Sequence, residues 1–357
     1  MKTNDTLEKL KIKSKWENVY WFSRMLISND KYGSIGKDNS LLAVIASSLR
    51  IIESENKSSS SNDIIALQKM ALKNLLLNRF KKAKSRLDRI QRLIRDLESE
   101  LITPDDINTF ILTCESIMIP INQAIENIPS NDKDFTLSIA TSYLDIQGEN
   151  GLATVINIWD DLGVKGCLTV ERNEIIRAFS ALRLLLSNDY KIEDFDKDVI
   201  LTSFVQEFER RAAQKRKSRA GSSLEDVTTF ILDYFKIKSA KAPAHFQADI
   251  EIDNWVKSKD GWLIGISCKR TLRERWKQVS SAESGILSKF KIKNVYHILT
   301  FDEDLSDDKI TLLGNHRHIF YLPDNSRILN HAVNHIGLKE YVRPMSLFIE
   351  DLRKETN

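Results

Sequence analysis

Three cysteines in 357 residues, Cys114, Cys167 and Cys268, are few and widely spaced. They form neither a disulfide framework nor a zinc pattern, which points to a reducing compartment, the cytoplasm. Long apolar runs are also missing, so no segment has the length a bilayer crossing demands. The first 29 residues mix charge with Trp16, Tyr20, Trp21 and Phe22, which is not the pattern of a secretory signal. There is no internal repeat. Net charge is scarce as well. The 53 basic and 50 acidic residues leave +3, which argues for no nucleic-acid partner unless the cations cluster. What is present is ordinary for a folded protein: 42% hydrophobic and 29% charged residues exclude a disordered chain, and the length suffices for two cores.

Residues 1–200 read as almost entirely helical. After the serine-rich loop at Ser54 to Asn62, Asp63 is expected to cap one long helix reaching Leu101. Its middle is basic, with Arg79, Lys81, Lys82, Lys84, Arg86, Arg89, Arg92 and Arg95 against Asp88. A solvated helix face explains these cations, and so does contact with DNA phosphates. Thr103-Pro104-Asp105-Asp106 is a helix start, with a cap, a first-turn proline and acids for the dipole. Leu152 to Leu162, a turn at Gly163 to Gly166, and Val170 to Leu186 outline a helix–turn–helix. The polar Ser187 to Lys197 stretch divides an all-helical domain, 1–195, from a second domain, 196–357. Val199 to Arg219 is a helix whose end carries Arg210, Arg211, Lys215, Arg216, Lys217 and Arg219, a run suited to solvent or to phosphates. Ser222 or Ser223 then caps another helix with Glu225 in its first turn.

Ile250 to Val256 and Trp262 to Cys268 read as two strands joined by Lys259-Asp260-Gly261, a strong hairpin signal. Period-2 alternation sends Trp262, Ile264, Ile266 and Cys268 to the core and Leu263, Gly265, Ser267 and Lys269 to the other face. Asp249, Glu251 and Asp253 share a face of the first strand. A hairpin centred on Asp260 lays Lys269 across from the Asp249–Glu251 end. Close carboxylates repel unless a cation joins them, and oxygen ligands select Mg²⁺. A lysine beside that metal holds or deprotonates a water aimed at a phosphate, the layout of a metal-dependent phosphodiesterase. A surface hairpin with a polar face is the plainer alternative. Arg273-Glu274-Arg275 opens the following helix, and these side chains suit guanine and cytosine edges. Trp276, Val279 and Glu283 share a helix face, so Glu283 is carried inward towards Lys269. Val295 to Phe301, a helix over Asp302 to Leu313, and His318 to Leu322 form a strand–helix–strand unit with parallel strands. His297, His316, His318, His331 and His335 are scattered and read as structural.

Gln247-Ala248-Asp249, Ser267-Cys268-Lys269 and Arg273 to Val279 resemble the core of type II restriction endonucleases of the EcoRII and CCGG-cutting group. The resemblance spans roughly Glu207 to Arg343 and takes in Arg219 to Glu225, His297 to Thr300 and Ile319 to Pro323. It implies the PD-(D/E)XK nuclease fold: an α/β core with a central mixed sheet flanked by helices, following an all-α N-terminal domain. By the same resemblance Asp249 and Glu283 hold Mg²⁺, Lys269 orients or activates water, and Ser267 stands where related nucleases carry a carboxylate. Glu225 is an auxiliary acid. Arg273, Glu274 and Arg275 read bases, and Arg219, Lys215, Arg216 and Lys217 meet phosphates. The implied enzyme is a homodimer or homotetramer acting on double-stranded DNA beside a cognate DNA methyltransferase. Ala248 stands where proline is common, and Asp253 competes with Asp249 for the first-strand role. Another nuclease of the same fold and a non-catalytic DNA-binding protein are the alternatives.

Overall fold

The computed structural model describes residues 14–131, 133–190, 192–244, 246, 252–272 and 284–356, with the side chains of 134, 135, 160, 163, 164, 220–224 and 284 excepted. Two compact units interleave along the chain. One comprises Met1–Pro129 and Leu168–Arg216, the other Ser130–Cys167 and Lys217–Asn357. This division differs from a cut at residue 195.

In the first unit the helices are α1 (Asn18–Ile27), a single turn α2 (Asn29–Tyr32), α3 (Asn39–Glu55), α4 (Ser61–Phe80), α5 (Lys84–Glu100), α6 (Pro104–Leu112) and α7 (Ile119–Asn127). The expected single helix from Asp63 to Leu101 is two, broken at Lys81–Ala83. The break lets Leu72, Leu76 and Phe80 of α4 and Ile90, Leu93 and Leu97 of α5 enter one core. Ser60, rather than Asp63, caps α4: its Oγ accepts from the Asp63 N–H at 3.3 Å. Several basic residues near the break hold the fold together. Arg86 and Arg89 donate to the carbonyls of Gly33 and Asn29, and Arg79 pairs with Asp38.

Thr103 and Asp106 form a reciprocal capping box at the start of α6. Thr103→Ala should therefore lower stability by about 1 kcal/mol, because it frees the Asp106 N–H at an exposed helix end. Urea unfolding followed by circular dichroism checks this, and an unchanged midpoint would dismiss the cap as a stabilising element.

The second unit begins with α8 (Lys133–Gln147) and takes in parts of two long helices, α9 (Leu152–Asn188) and α10 (Asp194–Tyr234). Both correct the sequence reading. The helix–turn–helix outline at 152–186 is one uninterrupted helix, and so are the segments expected to break near Ser222. Glu225 therefore lies inside a helix, not in a first turn.

The sheet has the order β1 (Asn254–Lys257), β2 (Leu263–Lys269), β3 (Ile292–Leu299), β4 (His318–Leu322) and β5 (Val342–Pro344). The β1–β2 pair is antiparallel and the later pairs are parallel, as the strand–helix–strand pattern predicted. Between and after the strands run α11 (Ser284–Lys289), α12 (Asp307–Gly314), α13 (Arg327–Asn334) and α14 (Phe348–Thr356).

Helices cover both faces of the sheet. Ile264, Ile266 and Cys268 pack with Val155, Trp159, Val227 and Ile231, while Val295, Leu299 and Phe320 pack with Leu287, Ile310 and Leu329. Gly265 and Ser267, expected on the face opposite the core, are buried too, which excludes the plainer reading of a surface hairpin. Two covered faces are what a mostly parallel sheet requires, since its crossover helices must go somewhere.

Candidate active site at the end of the β1–β2 hairpin

The hairpin turn sits where Asp260-Gly261 predicted it. Gly261 has φ +81°, and its N–H donates to the Ser258 carbonyl at 2.9 Å. A side chain would be strained at that φ, so the turn chemistry fixes the register. Asn254 lies opposite Ile266, and Lys257 opposite Leu263, the pairing expected of a hairpin centred on Asp260. The ladder ends at Asn254, and Asp253 stands just before it, at the end of the hairpin that carries Lys269.

Asp253 ends the strand pairing by turning its side chain into the ladder. Its N–H donates to the Ile266 carbonyl at 2.9 Å, and its Oδ2 accepts from the Cys268 N–H at 2.6 Å. Its Oδ1 faces Lys269 Nζ at 3.4 Å. The side chains are 8% and 18% exposed, so this is a largely buried ion pair. Such a pair is poor evidence for stability, because desolvating two charges offsets most of their attraction. The pair sits at the C-terminal end of β2, where Lys269 lies opposite Leu299, the last residue of β3.

Beneath it the sheet is polar where an apolar row is the norm. Ser267 pairs in register with His297, and His297 with Phe320. His297 Nε2 and His318 Nδ1 are 2.8 Å apart, the rings stack, and both residues are buried. Burial holds His297 neutral, well below the ordinary histidine range, with His318 and Lys269 adding to the effect. The sequence reading had these histidines as scattered. Their meeting is legible only through strand register, because they belong to different strands.

Other predicted residues fall as follows. Glu225 is exposed on α10, one turn before Thr229, whose Oγ1 reaches Asn254 Oδ1 at 3.4 Å beside Asp253. The basic run is partly committed to internal partners: Arg216 pairs with Glu171 and Glu209, Lys215 donates to the Ile125 carbonyl, and Arg219 is buried. Arg210 and Arg211 hold Glu207 and Asn122. Burial lowers the Arg211 pKa from its ordinary value. These ties weigh against reading the run as free phosphate contacts, whereas Lys217 is exposed. Asp249, Arg273, Glu274, Arg275 and Glu283 lie outside the described residues. Among the described residues, no group of three or more His, Cys, Asp or Glu could hold a metal, and no helix is long and apolar enough to cross a membrane.

No protein-family model and no curated protein matches the chain. Two solved structures have weak likeness to it. One is metal-depleted Ecl18kI in complex with uncleaved, modified DNA, at TM-score 0.46 and 16% identity over 66% of this chain and 78% of that one. The other is a complex of restriction endonuclease PspGI with substrate DNA, at TM-score 0.42 and 17% identity over 66% and 92%. At these scores the functional reading rests on the geometry and the sequence motifs.

Proposed function

We propose that the chain is a Mg²⁺-dependent DNA endonuclease of the PD-(D/E)XK fold. More specifically, it is a type II restriction endonuclease hydrolysing phosphodiester bonds in both strands at a short G·C-core site such as CCGG, CCNGG or CCWGG, leaving 5′-phosphates. The observation that carries this reading is the Asp253 carboxylate 3.4 Å from Lys269 Nζ, at the open end of the β1–β2 hairpin. A carboxylate at the start of the first strand and, paired with it, the lysine that ends the second stand in this reading for the Asp and Lys of the nuclease motif. Asp253 thus takes the first-strand role for which it competed with Asp249.

The donor chemistry fits a hard divalent cation. Asp253 supplies carboxylate oxygen, and Glu283 is the second carboxylate in this reading, replacing the one that Ser267 lacks. When bound, the metal polarises the scissile phosphate and makes water a better nucleophile. The chain's own groups do the rest. The Cys268 N–H fixes Asp253, Asp253 orients Lys269, and Lys269 donates to the attacking water or to the phosphate oxygen. Arg273, Glu274 and Arg275 read base edges, Lys217 meets backbone, and Glu225 is an auxiliary acid near the start of β1. The enzyme acts as a homodimer or homotetramer in the cytoplasm beside a cognate methyltransferase.

Incubating the full chain with plasmid DNA, with and without Mg²⁺, tests the reading. Discrete Mg²⁺-dependent fragments are the expected result. A smear would make it a nuclease without site specificity, and intact plasmid in both arms would remove the catalytic reading altogether.

A further inference from the structure

On β1, four residues along from Asp253, a second feature has no part in the mechanism above. Lys236, Lys238, Lys257 and Arg353 line a groove of about 600 Å³, together with Phe235, Ile237 and Ser239. Among the described residues, no carboxylate lines it. Lys236, Lys238 and Lys257 are exposed, and their ammonium groups have no hydrogen-bond or ion-pair partner among the described residues. Arg353 lies over the Phe235 ring and pairs with Glu149.

Cations elsewhere at this end of the unit are treated differently. Lys293 is held by Asp260 and Glu355, and Lys354 by Glu350. Three neighbouring lysines around one concavity, with no acid paired to them among the described residues, form an electropositive surface that the adjacent charge pairs do not cancel.

The backbone bears out the same preference. α10 ends in a double-bonded cap: the Ile237 N–H donates to the Leu232 carbonyl at 2.8 Å and the Lys236 N–H to the Asp233 carbonyl at 3.1 Å. This cap puts Lys236 at φ +58°, a position that favours glycine. The chain places a lysine there despite the strain. The following residues run extended, joined to β1 by the Ser239–Val256 bridge and by an Ala240 N–H donated to the Trp255 carbonyl. Lys236 and Lys238 are two residues apart along this run, beside Lys257 on the neighbouring edge strand.

We infer that this groove binds the phosphate backbone of duplex DNA. The inference rests on the proposed DNA substrate. Asp253 and Lys257 are separated by about 13 Å at 3.3 Å per strand residue, so the groove and the proposed site lie along the same edge strand of the sheet. The contact is electrostatic, carries no sequence information and raises affinity for all duplexes alike.

The test measures binding of the full chain to cognate and scrambled duplexes in Ca²⁺, across a salt series. It compares the wild type, the triple variant Lys236→Gln/Lys238→Gln/Lys257→Gln and the control Lys339→Gln, which changes an exposed lysine outside the groove. Each phosphate contact contributes about −0.9 to the slope of log K against log salt, so the triple variant should lose about 2 to 3 from the slope on both duplexes. The control should lose little. Thermal unfolding should be unchanged, since the three ammonium groups have no partner to lose among the described residues.

An unaltered slope, a slope altered equally by Lys339→Gln, or a wild type that binds no DNA would each overturn the groove. Its failure is separable from that of the nuclease reading. A wild type that cleaves with Mg²⁺ while the triple variant keeps the full slope refutes only the groove. A wild type that never cleaves but loses slope in the triple variant keeps the groove and refutes the nuclease.

Discussion

Lys269→Ala is expected to slow Mg²⁺-dependent cleavage by about 10³-fold while changing the affinity for duplex DNA less than tenfold, because a group acting on the transition state lowers the rate and not the docking. A thousandfold loss corresponds to about 4 kcal/mol, within what one positioned charge at a reacting phosphate supplies. The same substitution should also cost stability. It leaves the Asp253 carboxylate, 8% exposed, with its charge partner removed, and breaking such a pair costs about 3 kcal/mol or more.

Activity and folding can be separated with a second variant. In Asp253→Asn/Lys269→Met both charges go together, and the asparagine side chain still accepts from the Cys268 N–H. The double variant should unfold nearer to the wild type than Lys269→Ala does, yet remain as inactive. Near-normal cleavage by Lys269→Ala would sink the site. Comparing Asp249→Ala with Asp253→Ala then assigns the first-strand carboxylate: the ion pair with Lys269 favours loss at Asp253. An active Asp253→Ala beside an inactive Asp249→Ala would reverse it.

The hairpin, its register and the parallel strands after it were legible because their causes are local. Asp260-Gly261 forces the turn, and strand pairing counts outward from it. The Thr103–Asp106 box was legible for the same reason. The two buried faces of β2 were harder. Leu263 to Cys268 reads as alternating if Gly265 and Ser267 count as polar, and as a continuous buried run if they count as small. Only the neighbours decide, and those neighbours are distant in sequence. The break at Lys81–Ala83 carries no glycine or proline to announce it. It arises because α4 and α5 both have apolar stripes that must face one core. The opposite happened at 163–166, where two glycines suggested a turn and the apolar phase on either side carried the helix through. Asp253 read only as a rival to Asp249, because its side-chain bond to the Cys268 N–H joins residues fifteen positions apart in sequence.

The unit boundary was least legible, and it yields the other large effect. Trp159 lies near the start of α9, yet it packs with Val227, Ile231 and Ile264 of the sheet-bearing unit, its ring 5.3 Å from Phe230. It is 1% exposed. Trp159→Ala should therefore destabilise the protein by about 3–5 kcal/mol, the loss of a large buried aromatic plus the cavity left behind. Trp159 Nε1 has no hydrogen-bond partner among the described residues. On that count the side chain contributes through its volume, and a donor left unsatisfied costs about 1–3 kcal/mol. Trp159→Phe removes that donor and keeps most of the ring, so its loss should be less than half that of the alanine variant. Urea denaturation followed by circular dichroism measures both. If Trp159→Ala cost under about 1 kcal/mol, residues 152–167 would not be part of the sheet's core, and a boundary near residue 195 would be restored. If Trp159→Phe cost as much as Trp159→Ala, the indole N–H would have to be making a bond that stabilises the fold, and the volume argument would fail.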